Sequence, residues 1–500
     1  MKFKIFRYFI AVSILFITGT SSLRAQTVII STDPLDDTGM DYALVQGADD
    51  EGVFVVHSNL PLGSDRDRVG LRNRKYQLSF YNYGMKRRWT IPLVAGYDGA
   101  SIEGVTFFNN KLVVLSTIID KTQNKYKLFI DVYNNKGKAE ITGKNATSFS
   151  YTKSNALEKP RLIISPGKNN LGIYVNETGD GTQTMNVALL DTNYKALISH
   201  SGKVNYGDRD LLVTDYSIAD NGEFYLLGMI KDPDPAKEKK KQRIYTLLVM
   251  KAGSEEVKEY KINDSSRPMT EAAITVDKIK GNAVVTGFYA DKLSFSGAGL
   301  IFAKLKTGSD GPLEIKNYPI GGDAQIKLVG ERNSGGGISL FSYPIQKVVL
   351  RNDGGAVIIA EAAYLSEYSY YDYFTQSYSR RIEYHFDNIV AFSVNNEGVI
   401  QWSQMIRKEQ TSLDDFGLYS SFDSYLNSDE LGIVYNKDIG RNNEIAAVVI
   451  NKSGQQTTKR VTKMGDNITI LPRAGKQIDE SAIVIPAISK KRLHLIQIEL

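Results

Sequence analysis

The chain of 500 residues contains no cysteine. That excludes disulfides, thiolate metal sites, cysteine nucleophiles and a lipid-modified N-terminal cysteine. Whatever compartment it occupies, its stability comes from core burial and sheet pairing. Histidine is also scarce, with four residues (His57, His200, His385, His494), and so is tryptophan, with two (Trp89, Trp402). Neither a G-x-S-x-G elbow, an H-E-x-x-H zinc helix, a Walker loop nor a G-x-G-x-x-G turn occurs. The Asp-box repeats of sialidases are missing too. Past the first twenty residues no apolar run reaches the roughly 20 residues that a membrane-spanning helix needs, and amphipathic helical periodicity is almost absent. The reading therefore calls for no cofactor and no metal.

The first 26 residues have the layout of a secretory signal peptide. Lys2, Lys4 and Arg7 form a basic start, Tyr8 to Ile17 an apolar centre, and Ala25 a small residue before the cut. Four of the 61 basic residues (Lys2, Lys4, Arg7, Arg24) lie in this segment, which leaves 57 against 56 acidic ones. A near-neutral chain has no electrostatic footprint for nucleic acid or an anionic surface. The expected layout is a signal peptide over 1–26 and one domain over 27–500. Its expected location is the periplasm or outer cell envelope, with no transmembrane segment after cleavage and no lipid anchor.

What the chain does have is rhythm. Short apolar segments follow turn signals such as Asn109-Asn110, Asp220-Asn221-Gly222 and Asp353-Gly354-Gly355. Anchors at Val53, Leu112, Leu171, Phe224, Val284, Val357, Leu431 and Val484 are separated by 59, 59, 53, 60, 73, 74 and 53 residues. Near-constant spacing over the whole chain is the mark of a repeat architecture. The two long gaps hold insertions at Gly321–Gly337 and Tyr364–His385. After most anchors comes a second strand that ends in an Asn- and Gly-containing turn, as at Asn134–Gly137, Asn395–Gly398 and Asn451–Gly454, and then a polar outer strand. The order fits an all-β, closed β-propeller of eight, alternatively seven, mostly four-stranded blades, with inner strands apolar on both faces. The last unit lacks an outer strand, and Thr27–Thr32 is a free strand that could close the ring and so remove an exposed edge.

The segment from Val348 to Ala487 carries Val348–Glu361 (VVLRNDGGAVIIAE), Asn388-Ile389-Val390, Gly398–Gln410 (GVIQWSQMIRKEQ) and Leu471–Ile478 (LPRAGKQI). It resembles a family of exported bacterial β-propeller proteins without assigned activity, of the kind found in the envelope of Gram-negative Bacteroidetes. The resemblance implies a fold and a compartment, and no catalytic residues.

Among local features the insertion Tyr364–His385 is the most informative. It packs Tyr364, Tyr368, Tyr370, Tyr371, Tyr373, Tyr378 and Tyr384 into 22 residues beside Arg380 and Arg381. Tyrosine and arginine offer large contact area with a polar handle and suit recognition surfaces. Tyr368, Tyr370, Tyr371, Tyr373, Tyr378, Arg380 and Arg381 are thus the candidate binding residues, for an envelope protein or a glycan; the competing reading is a hairpin whose rings pack on the neighbouring unit. Lys231–Arg243 reads as a solvated charged tip. Asp33, Asp36, Asp37 and Asp41 lack the order of a calcium loop. The function expected is a non-enzymatic binding or scaffold module. Its alternative is a carbohydrate-active hydrolase or lyase with a carboxylate pair in the central channel.

Overall fold

The computed structural model describes residues 27–499, apart from 36–39, 41, 60–74, 180, 208–209, 232–242, 264–266, 291–296, 322–323, 326–327, 329–339, 341–342, 375, 440–442 and 463–466. The proposed signal segment, most of the Gly321–Gly337 insertion, and Asp36, Asp37 and Asp41 lie outside the described residues.

The eight anchors fall in the second strands of eight separate antiparallel sheets: Gly52–Ser58, Lys111–Asp120, Leu171–Gly179, Phe224–Ile230, Asn282–Ala290, Ala356–Asp372, Glu430–Asn436 and Ala482–Ser489. We number the sheets blade 1 to blade 8 in that order. Each has four antiparallel strands in up-and-down order, and blades 3, 6 and 8 carry one short extra strand. The second and third strands are buried on both faces; every residue of Gly52–Ser58 is buried, for example. Such strands need no polar alternation, because a neighbouring blade covers each face. Outer strands are wet, as in Gln456–Arg460.

The innermost strands differ from the expectation. Several are short or only partly buried, as in Ile345–Leu350 and Arg161–Ile164. Register shifts interrupt five of them, for instance between Val213 and Asp215 and between Ile345 and Lys347. Crowding near the axis accounts for both features. Polar side chains, not only apolar ones, reach from one innermost strand to the next there.

Blade 8 takes its fourth strand from the other end of the chain. Thr27–Ile30 pairs antiparallel with Arg492–Glu499, from Thr27 opposite Glu499 to Ile30 opposite Ile496. Apolar clusters then join every adjacent pair of blades. The last of them sets Leu35, Val45, Val53 and Val55 of blade 1 and its lead-in against Val484, Leu493 and Leu495 of blade 8. The ring of eight is closed.

Antiparallel order puts the first-to-second and third-to-fourth turns at one end of each blade. Most connections between blades are short, such as 94–100 and 151–155, so the same ends share one face of the ring. That face is built from tight turns. The third-to-fourth turns repeat one design: the side-chain oxygen of Asn134, Asn395 or Asn451 accepts the N–H groups two and four residues on, at 2.9–3.1 Å. The fourth turn residue has positive φ: Gly137 at 74°, Gly398 at 88° and Gly454 at 78°. Each turn also covers an aromatic ring on the outer strand of the preceding blade. Trp89 Nε1 donates to Asn135 O at 2.7 Å and Trp402 Nε1 to Lys452 O at 3.1 Å, while the Tyr318 hydroxyl donates to Glu397 O. Trp402 thus plugs an inter-blade groove. The opposite face carries the second-to-third turns and the inter-blade connections, and with them the Tyr364–His385 insertion.

Candidate functional site

The Tyr364–His385 insertion is not an irregular loop. It is the second-to-third hairpin of blade 6, prolonged far beyond the ring. Its strands, Ala356–Asp372 and Ser377–Val394, run 17 and 18 residues. After a shift between Glu361 and Ala363 the pairing runs unbroken from Ala363 opposite Phe386 to Asp372 opposite Ser377. Rungs of about 3.3 Å give this extension a reach of about 30 Å. At its base a third strand, Thr411–Leu413, pairs with Glu383–His385, and Asp414 Oδ1 accepts the Ile382 N–H at 2.9 Å.

Strand alternation divides the candidate residues between two faces. Tyr364, Tyr368, Tyr370, Arg381 and His385 share one. On it Tyr364 stacks on His385 with centroids 4.5 Å apart. The His385 Nδ1 is 3.1 Å from Thr411 Oγ1 and its Nε2 is 3.5 Å from Glu383 Oε2. Arg381 lies over the Tyr370 ring at 5.0 Å, donates to its hydroxyl at 3.3 Å, and is 4.0 Å from Asp414. The other face holds Tyr371, Tyr378 and Arg380, with Arg380 ion-paired to Glu367. Tyr373 sits in the end turn, where its ring meets Tyr371 edge-on at 5.1 Å; Tyr371 meets Tyr378 likewise at 5.2 Å. Tyr373 and Tyr378 are 84% and 78% exposed, and Phe374 beside them is fully exposed. The structure therefore brings the seven candidates onto one hairpin but not into one patch. It also adds Phe374, which the count of tyrosines and arginines passed over.

A second constellation lies at the axis and was not found from sequence. The innermost strands of blades 6, 7 and 8 place Lys347, Asp423 and Lys476 near one another. Lys347 Nζ donates to Ser424 Oγ at 3.0 Å. Lys476 Nζ donates to Gln46 O of blade 1 at 2.7 Å. Asp423 Oδ1 accepts the Ser424 N–H at 2.7 Å, while Oδ2 is out of reach of water and has no hydrogen-bond partner. A Cβ on Gly475 would come within 2.3 Å of that Oδ2, so glycine is what leaves the carboxyl its room. Burial pushes the Asp423 carboxyl up to about 7, against the Ser424 amide and the two ammonium groups that favour its charged form. Burial likewise lowers Lys347 and Lys476. Burial also raises Asp215, on the innermost strand of blade 4. Its two oxygens, however, accept the Tyr216 and Ile274 N–H groups at 2.8 and 2.9 Å. That carboxylate ties blade 4 to blade 5.

A third polar cluster is sealed from solvent where blades 6, 7 and 8 meet. Lys408 Nζ lies 2.7 Å from Glu361 Oε1 and donates to Phe386 O and Gln410 Oε1 at 2.7 and 2.8 Å. Ser421, at φ 74°, donates to Glu361 Oε2 at 2.5 Å. Glu361 and Ser421 have no surface to offer a ligand, being 0% and 2% exposed.

The remaining singled-out residues do not join a site. Asp33 Oδ2 accepts the Arg87 N–H at 3.3 Å. His57 and His494 lie within strands, and the His494 Nδ1 is 3.0 Å from Ser31 O. His200 is in the middle of Ala196–Val204. Most of Lys231–Arg243 lies outside the described residues. Among the described residues there is no group of three or more His, Asp or Glu that could hold a metal ion, and no helix long and apolar enough to cross a membrane.

No family model matches the chain, and no curated protein matches it. Solved structures do. A polysaccharide lyase, Uly1, is 10% identical over 92% of this chain and 99% of its own, with a TM-score of 0.33. The β-propeller domain of Nup133 from Vanderwaltozyma polyspora is 10% identical over 79% of this chain and 99% of its own, at 0.34. A prolyl endopeptidase is 11% identical over 83% of this chain, at 0.36, and the chain spans 46% of that protein's length. The likenesses are too distant to assign an activity. The fold class, a closed eight-bladed β-propeller, rests on the strand order and the ring of apolar clusters.

Proposed function

We propose that the protein is an exported envelope module that binds or scaffolds and does not catalyse. It engages its partner through the face that carries the second-to-third turns, with the Tyr364–His385 hairpin as the docking element. The observation behind this reading is the hairpin itself. A paired ribbon with a third strand at its base holds aromatic rings clear of the ring, where they contribute little to the core. Rigid presentation lowers the entropy cost of binding. The test is affinity purification of the tagged protein from crosslinked envelopes. It is compared with a variant in which Asn-Gly replaces 368–381, joining the paired residues Glu367 and Ile382 by a two-residue turn. Partners that disappear with the hairpin support the reading; the same partners in both samples overturn it.

The second reading, a hydrolase or lyase working in the channel, has one observation in its favour. Asp423 is a carboxyl poised near neutral pH between two lysines, as a general acid would be. A second carboxylate beside it is missing among the described residues, since Asp215 stands three blades away with both oxygens engaged. Loss of glycan turnover in Asp423→Asn, with the fold intact, would favour this reading over docking.

A further inference from the structure

We infer that the apex of the blade 6 hairpin inserts into the headgroup layer of a phospholipid bilayer, with Phe374 deepest, the tyrosines around it, and Arg380 and Arg381 at the level of the phosphates. The inference rests on the reading of the hairpin as the docking element, and it names the partner.

Chemistry along the ribbon is graded. The apex carries Phe374, purely apolar and fully exposed. Around it stand Tyr371, Tyr373 and Tyr378, held edge to face against one another. Tyrosine combines an apolar ring with a polar hydroxyl and concentrates at membrane–water interfaces for that reason. Two rungs below Tyr371 and Tyr378, about 7 Å down the ribbon, Arg380 pairs in register with Ser369, and Arg381 follows opposite Tyr368. Guanidinium groups match phosphate geometry. Their carboxylate neighbours Glu367 and Asp414 keep the collar close to neutral, which suits zwitterionic as well as anionic lipid.

The shape selects lipid over protein. Stable protein interfaces engage about 20–30 residues a side, and the apex offers four on a convex tip. A bilayer needs no complementary pocket. The reach of about 30 Å lets the tip enter the headgroups while the ring stays clear. Inter-ring packing fixes the apex before contact, so little ordering remains to be done on binding.

The test is flotation of the full chain with vesicles of phosphatidylethanolamine and phosphatidylglycerol. We expect the protein to float, and the bound fraction to fall at least tenfold in the triple variant Tyr373→Ser, Phe374→Ser, Tyr378→Ser. These side chains lie outside the core, so thermal stability should not change. A second variant, Phe374→Trp, should show blue-shifted emission with vesicles and quenching by brominated acyl chains. Trp89 and Trp402, held in inter-blade grooves, supply a constant background. Absence of flotation and of an emission shift overturns the inference, as does flotation that survives the triple variant. The envelope crosslinking experiment separates this from the broader reading. Hairpin-dependent protein partners without vesicle binding would leave docking standing and remove the lipid. Vesicle binding without such partners would leave the lipid alone.

Discussion

Lys408 and Glu361 meet at 2.7 Å with both side chains essentially out of water, 1% and 0% exposed. They join the end of blade 6 to the strand that begins the hairpin. Burial raises the Glu361 carboxyl and lowers the Lys408 ammonium, each against the pull of the other. Desolvation therefore outweighs attraction for each ion, and the pair is held by its surroundings: Phe386 O, Gln410 and Ser421 occupy the remaining donors and acceptors.

The consequence is an asymmetry. Lys408→Met leaves a buried carboxylate unpaired and should destabilise the fold by about 3–5 kcal/mol. Lys408→Met combined with Glu361→Leu removes both ions and should recover much of that loss. Urea unfolding of the two single variants and the double variant measures it; a double variant no more stable than either single would contradict the account.

Asn436 gives a second, neutral case. Its Nδ2 donates to Tyr419 O and Ile470 O at 2.7 Å each, and its Oδ1 accepts from Ile470 N at 3.0 Å and Asn443 Nδ2 at 2.7 Å. One amide so satisfied ties blade 7 to blade 8. Asn436→Leu strands several buried groups and should cost about 3 kcal/mol or more. Asn436→Asp, which keeps the acceptor but loses the donor, should also destabilise, and less so as pH is lowered. Thermal melts at two pH values check both.

The Asn-x-x-Gly turns predict where glycine is required. Gly454 has φ 78°, and a Cβ there would fall 2.6 Å from the Trp402 ring. Gly454→Ala should cost about 2 kcal/mol or more, from the left-handed backbone and the displaced indole together, and should perturb tryptophan emission. Gly253, with φ 75° and open space around it, lacks the second penalty. Gly253→Ala should cost about 1 kcal/mol. Equal losses at the two sites would show that the ring beneath the turn does not matter.

These turns also show how much could be read in advance. Anchor strands, turn asparagines and glycines, and the free N-terminal strand were all legible, because second and third strands are covered on both faces and hence apolar throughout. The innermost strands were not. Asp423–Leu426 is four residues long with no alternation, and Lys476–Gln477 is two. Side chains that meet at the axis come from blades 50 or more residues apart, which leaves no local pattern to find. The insertion is visible as composition, and a hairpin is one of its two readings, but tyrosines on both faces mask the period-two alternation that would fix its register in advance.

Asp423 makes stability depend on pH in a direction that can be worked out. Its folded value of about 7 lies above the 3.8 of an ordinary Asp. The folded chain therefore holds this proton where the unfolded chain has released it. The contribution is fully present below pH 4 and is lost as pH rises through 7. Asp423→Asn should thus be stabilising relative to the parent at pH 8, by about 1–3 kcal/mol, with the difference shrinking toward pH 4. Denaturant midpoints of both proteins at pH 4, 6 and 8 test this. A constant difference would mean the carboxyl does not titrate in that window.

Closure of the ring supplies the last prediction. Thr27–Ile30 is the outer strand of blade 8, and Val28 reaches the apolar cluster between blades 7 and 8. Without it Ile496–Glu499 becomes an open edge, offering unpaired N–H and C=O groups to another chain. The lost strand holds only four residues, so blade 8 keeps its other pairings with Ala482–Ser489. Deleting 27–30 should lower the melting temperature modestly and raise the tendency to associate much more. Placing a lysine in the exposed edge, as in Ile496→Lys, cannot separate the two effects, because Ile496 is buried in the core. Supplying the missing strand can. A synthetic peptide of residues 27–35 added in excess should pair with the open edge, restore the melting temperature and return the deletion variant to a single species in size-exclusion chromatography. A variant that stays monodisperse without the peptide would show that the strand closes nothing of consequence.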